Sequence, residues 1–347
     1  MIKKDFTKSM WKSVTIATYF LTCIMFSSCQ NKDKPIERIN INTEIAYDSI
    51  YSRMPGTLLK LDNYLIWQDP FSIENFIHII DLKKGQEIGT MGTIGQGPEE
   101  FNTPVISSVG NNNIFVFDLN TTHQAFYSID SLKNNKKPYI RYKDNDLKSI
   151  TKKIPIGKDQ FVILQPSESK RFRMVKDGNS FEFGSPFIEG KDFENKYDIN
   201  QGNIELNPQK DKFVFASYLF PYIEIYDTKK EDIPLLFSSS ISPKLYKRIG
   251  TEIKKDPSRR GCLSMTLTKE YIVTIQRDYE VDDTDESTVG MDFNKLPQTL
   301  FLYDYNGNMK RIVNVGIPVF NLIGDIKRNT VYVMGVDPEF VIIKCEL

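Results

Sequence analysis

The sequence predicts an all-β chain folded as a six-bladed β-propeller, its last blade closed by an N-terminal strand. Three observations carry this. Nearly every apolar run is 4 to 7 residues long and bounded by Gly, Pro, Asn or Asp, without the three-and-four spacing of amphipathic helices. A pair of strand landmarks recurs six times. The aspartates that end the second landmark, Asp81, Asp130, Asp177 and Asp227, lie 49, 47 and 50 residues apart, a spacing that suits one four-stranded blade.

Residues 1–28 read as an export signal. Lys3, Lys4, Lys8 and Lys12 give a positive start, and residues 14–26 are mostly apolar with interrupting threonines. That stretch falls short of the about 20 apolar residues that span a bilayer and has the flanks of a signal peptide. Phe26-Ser27-Ser28-Cys29 follows. Small residues before a cysteine resemble the lipobox of bacterial lipoproteins, which implies cleavage before Cys29 and its lipidation. Residues 29–35 then form a lipidated polar tether, and residues 36–347 the propeller. The tether loosely resembles the charged tag of surface-exposed Bacteroidetes lipoproteins. The expected address is the outer membrane, facing the periplasm or the cell surface.

Within the propeller, the first landmark is a strand after a polar turn: residues 64–67, 114–117, 161–164, 213–216, 271–275 and 331–334. The second is a strand ending at or near an acid: residues 77–81, 125–130, 172–177, 222–227, 300–304 and 340–346. A polar insertion, residues 280–298, splits the fifth repeat. The terminal aspartates read as turn residues that bond their own backbone. The sixth repeat ends after its third strand. Residues 36–45 alternate apolar and polar and are expected to supply the missing outermost strand, removing two open sheet edges.

Residues 89–130 hold the fullest copy of the repeat. Gly92, Gly95, Gly97, Pro98, Phe101, Pro104 and Asp118 fall where NHL-type repeats have their glycines, phenylalanine, proline and strand-end aspartate. With the lipobox and six blades, the chain is similar to the TolB-like six-bladed propeller lipoproteins of Bacteroidetes. The resemblance implies a fold and an address, not a chemistry, and its specific motif covers only the first two blades. The glycines read as a sharp turn between one blade's outer strand and the next blade's inner strand. With no GK[ST] and no helix to open, they do not form a phosphate loop.

Composition narrows the partners. The chain balances 45 basic against 45 acidic side chains, and without the signal 41 against 44, so it lacks the electrostatic footprint of a nucleic-acid binder. Cys262 and Cys345 lie in apolar strands and read as buried thiols rather than a disulfide. No Cys/His cluster points to zinc, and no cofactor is expected. His78, read as a packed or edge residue, and His123, read as an exposed loop residue, are neither a metal pair nor part of a readable Ser-His-Asp set. The acidic run at residues 282–286 lacks the glycine and alternation of an EF-hand loop and reads as solvated loop.

Loops leaving each second strand and loops approaching each inner strand should meet on one rim. The rim candidates are Arg53, Trp67, Asp69, Asp118, Tyr218, Arg259, Arg260, Arg277, Asp278 and Tyr279. Arginine forks pair with carboxylates, and aromatic faces suit sugar rings. The expected function is a lipid-anchored envelope module that binds or scaffolds a glycan, a peptide or a partner protein. The alternative is a glycan-active hydrolase or lyase using rim carboxylates, Arg and Tyr. A purely structural subunit of an envelope assembly is a third reading.

Overall fold

A computed structural model describes residues 35–110, 112–142, 151–157, 159–188, 193–207, 209–256, 260–280 and 292–347. Among the described residues, six sheets of four or five strands follow one another along the chain. Their inner strands are Leu58–Leu61, Pro104–Gly110, Lys152–Gly157, Gly202–Leu206, Ser264–Leu267 and Val319–Asp325. Each pairs antiparallel with a second strand: Tyr64–Gln68, Asn113–Asp118, Gln160–Leu164, Lys212–Ser217, Tyr271–Ile275 and Thr330–Val336. The six-bladed propeller and the six landmark pairs are therefore present.

The short apolar runs have a common cause. Successive side chains of a strand point to opposite faces, and here both faces are covered by neighbouring blades. Ile114 and Val116 pack toward blade 1, while Phe115 and Phe117 pack toward blade 3. Six apolar clusters result among the described residues, one for each seam of the ring. A strand buried on both faces reads as continuous rather than alternating hydrophobicity.

Closure corrects one expectation. Residues 36–45 do not form a single strand. Glu37–Asn40 pairs parallel with Met309–Asn314, the outer strand of blade 5. Thr43–Tyr47 then pairs antiparallel with Phe340–Glu346 and supplies the missing outermost strand of blade 6. The N-terminal segment thus clasps two blades. Ile39 explains the division: it packs, partly buried, into the cluster between blades 5 and 6.

The turn chemistry follows the sequence. Asp81, Asp227 and Asp304 each accept a backbone N–H two residues on, at 2.9, 3.0 and 2.9 Å. The third strand of blade 2 ends earlier than read, at Ser128, and gives way to a helical turn, Ile129–Lys133, capped by the Ser128 hydroxyl. A hairpin of Tyr246–Ile249 and Glu252–Lys255 lies in the link between blades 4 and 5 and carries no repeat signature.

Among the described residues, two seams bury a cation. Between blades 3 and 4, Arg171 and Glu224 meet at 2.6 Å with almost no exposure. Phe172, Phe187 and Phe215 surround the guanidinium at 4.7 to 5.0 Å. Tyr222 and Tyr226 donate their hydroxyls to Glu224 at 2.7 and 2.9 Å. Between blades 2 and 3, the Lys153 ammonium lies 3.7 Å over the Phe161 ring and donates to Gln124 Oε1 at 2.9 Å.

Candidate functional site

The structure scatters the rim candidates and uses most of them internally. Asp118 is fully buried and accepts backbone N–H groups from Asn102, Thr103, Asn120 and Thr121. Burial alone would raise its carboxyl; these four donors outweigh that and hold it below the usual carboxylate range. Asp69 is likewise a loop organiser, accepting from Ser52 Oγ at 2.9 Å and Phe71 N–H at 3.0 Å. Trp67 does not reach the rim. It is 1% exposed and stacks on His78 at 4.0 Å. Arg53 is exposed, with its guanidinium 5.4 Å from the Phe71 ring centre.

Four candidates do gather at the head of blade 5. Tyr279 accepts the Arg260 backbone N–H at 3.0 Å. Asp278 is buried against Arg38 of the N-terminal clasp at 2.7 Å, and Arg277 donates to the Lys295 carbonyl. Arg259, Cys29 and the acidic run 282–286 lie outside the described residues. Asp69, Asp118 and Asp278 are all engaged, so the glycan-active alternative gains no carboxylate pair from them.

A groove of about 830 Å³ lies along the glycine-rich loop, lined by Gly95, Gly97, Asn120, His123 and Arg141. Here Glu100 folds back to accept the Gly97 N–H at 2.7 Å, and a Cβ on Gly95 would strike that carboxylate. His123 is not exposed as expected. It is half-buried on Phe101 at 4.5 Å, with Nδ1 near the Glu100 carbonyl and Nε2 near the Tyr139 hydroxyl. Both ring nitrogens have a hydrogen-bond partner.

The central channel is different. Inner strands of all six blades line it, and it encloses about 1050 Å³. Its lining carries six basic side chains, Lys60, Lys83, Lys152, Lys210, Lys327 and Arg328, against three acids, Asp62, Glu205 and Asp325. Lys60 pairs with Asp325 at 3.2 Å, and Lys327 with Asp62 at 3.0 Å. Lys152 and Glu205, on the adjacent inner strands of blades 3 and 4, form no ion pair with each other. Among the described residues the Lys152 ammonium has no hydrogen-bond partner. Glu205 accepts one backbone N–H, from Leu267 across in blade 5, at 3.2 Å. Burial pushes the Glu205 carboxyl up to about 7, against the pull of Lys152 and that N–H. Burial likewise lowers the Lys152 ammonium, against the pull of Glu205.

The family described as TolB-like 6-blade propeller-like matches residues 35–320. The chain belongs to this family. No curated protein matches it. Among solved structures, this TolB-like propeller is similar to a member of the DUF4221 family from Bacteroides vulgatus, at 9% identity and a TM-score of 0.57, covering 88% of this chain and 98% of that one. It also matches the propeller domain of Myceliophteria thermophila Cps50 (Swd1), at 10% identity and a TM-score of 0.44, covering 87% and 98%. At these identities the likeness concerns the fold alone.

Lys152 and Glu205 of the TolB-like propeller were not among the rim candidates. Their signal was a charged residue inside a short inner strand, as in Gly202–Leu206, where every neighbour is apolar or small and polar. Among the described residues, no group of three His, Cys, Asp or Glu is placed to hold a metal.

Proposed function

We propose that this TolB-like propeller is a binding module of the cell envelope and that it holds its ligand in the central channel rather than on the rim. One observation carries this reading: Lys152 and Glu205 face the channel as opposite charges with no ion pair between them, while the rim carboxylates are spent on the fold. Both side chains are half-buried and open to the channel, so a ligand carrying complementary charges gains charge-assisted hydrogen bonds to both.

The address is part of the proposal. A signal peptide over residues 1–28 and lipidation of Cys29 would anchor residues 36–347 at the outer membrane through a short polar tether. Palmitate labelling of cells making the parent chain and Cys29→Ala tests this directly, with label expected on the parent alone.

The site is tested by a thermal-shift panel of oligosaccharides and short peptides on the detergent-solubilised full chain. Lys152→Met/Glu205→Gln and Arg260→Ala/Tyr279→Phe are compared with the parent. A ligand at about 100 times its Kd adds about 2.7 kcal/mol of stability. The reading requires the shift to vanish in the channel variant and persist in the rim variant. The opposite pattern moves the site to the rim.

A further inference from the structure

The geometry points to a small zwitterion as the channel ligand: an amino acid or short peptide with a carboxylate on Lys152, a free ammonium on Glu205, and a net negative charge. This rests on the channel reading above and narrows it to a chemical class.

Three features select the class. First, the two groups are of opposite sign and too far apart to form an ion pair, so neither neutralises the other by contact. A single anion would satisfy Lys152 and repel Glu205; a single cation would do the reverse. A ligand carrying both charges satisfies both.

Second, the fold fixes the backbone positions from which the two charges extend. Lys152 opens its inner strand in register with Leu164, and Glu205 lies in register with Val214. Glu205 is further oriented by the Leu267 N–H from the opposite side. A ligand with few rotatable bonds between its own two charges loses little conformational freedom on bridging such a pair.

Third, the wider lining is basic, six side chains to three. With Lys60 and Lys327 already paired, Lys83 and Arg328 stand exposed on the channel lining. A basic lining with low-dielectric walls concentrates anions. The ligand therefore carries more carboxylates than ammonium groups. Neutral oligosaccharides exploit none of these features.

The test compares the dipeptide Ala-Glu with N-acetyl-Ala-Glu, in which a neutral acetamide replaces the ammonium, by calorimetry on the detergent-solubilised full chain. On the parent chain Ala-Glu should bind about tenfold more tightly, the worth of one charge-assisted hydrogen bond. Glu205→Gln should erase that preference. Lys152→Met should weaken both peptides about tenfold, and Lys152→Arg should restore them. Binding of Ala-Glu at pH 6 should also release a proton, because the Glu205 carboxyl must ionise to receive the ammonium. The groups that face it are Lys152, the Leu267 N–H, Cys262 and Tyr305.

Equal affinity for the two peptides on the parent chain overturns the proposal, and that comparison needs no variant to fold. So does the absence of binding by either peptide. If an oligosaccharide then binds and is lost in the channel variant, the channel reading stands and only the zwitterion falls. If no panel member depends on Lys152 or Glu205, both fall.

Discussion

Arg171 and Glu224 close the seam between blades 3 and 4 with an ion pair of 2.6 Å that solvent does not reach. The guanidinium also donates to the Ser185 carbonyl, so the pair ties a loop of blade 3 to a strand of blade 4. Removing one partner leaves the other charge buried alone. Arg171→Met and Glu224→Gln are each expected to cost about 3 to 5 kcal/mol. The double change Arg171→Met/Glu224→Leu should cost less than the two together. Denaturant unfolding of the three variants checks this, and additive losses would refute the coupling.

Asp118 accepts four backbone N–H groups in a fully buried position. Asp118→Ala leaves those donors without a partner, and a loss of about 3 kcal/mol or more is expected. The sign of its pH dependence is fixed. A carboxyl held below its ordinary value contributes fully above about pH 4 and loses that contribution as the pH falls. The melting-temperature gap between parent and variant should therefore narrow as the pH falls from 7 toward 3.

Glu205 behaves in the opposite sense. Its carboxyl is raised from 4.5 to about 7 in the fold. Between those values the folded chain holds a proton that the unfolded chain has released. This group's contribution therefore falls as the pH rises and levels off above about 7. Relative to the parent, Glu205→Gln should gain melting temperature between pH 5 and pH 8. A difference that stays flat across that range would contradict the raised value.

Gly92 and Gly85 make a matched test of close packing. Both have positive φ, +75° and +64°. A Cβ on Gly92 would lie 2.6 Å from the Phe76 ring, whereas one on Gly85 meets nothing within 4 Å. Gly92→Ala should cost roughly 2 to 4 kcal/mol and Gly85→Ala about 1 kcal/mol. Equal losses would mean that backbone strain alone sets the cost.

Deleting residues 36–47 removes both clasp strands. It uncovers Phe340–Glu346 and Met309–Asn314 as sheet edges, which invites strand pairing between molecules. Light scattering and a melt should show an aggregating, less stable chain. A deletion that stays monomeric and melts like the parent would rule out a closing role.

The fold was legible because its signals are local and repeated. Strand-ending aspartates such as Asp81 and Asp227 announce each turn through their own side-chain geometry. The apolar runs persist because every seam covers both faces of a sheet. The clasp was only half legible: alternation over residues 36–45 marked a strand, but which sheet each residue joins is decided by long-range contacts such as Ile39 against the blade 5–6 core. The site was less legible still. Asp118 and Trp67 carry chemistry suited to binding, yet burial commits them to the fold. Lys152 and Glu205 looked like ordinary strand residues, and only ring closure brings them to a common channel.

Thr43 finds its partner in Cys345, and Glu37 in Arg311. A ribosome adding about 5 to 20 residues per second needs roughly 15 to 60 s to travel that far. Thr43–Tyr47 is thus among the first parts of the propeller to be made and among the last to be paired, whereas Glu37–Asn40 finds its partner one blade earlier. A chain broken off before Phe340 leaves Thr43–Tyr47 without its seat on blade 6, while Glu37–Asn40 keeps its partner on blade 5. The clasp therefore makes ring closure depend on both ends of the propeller: without Phe340–Glu346, blade 6 cannot take up Thr43–Tyr47 and an open sheet edge remains.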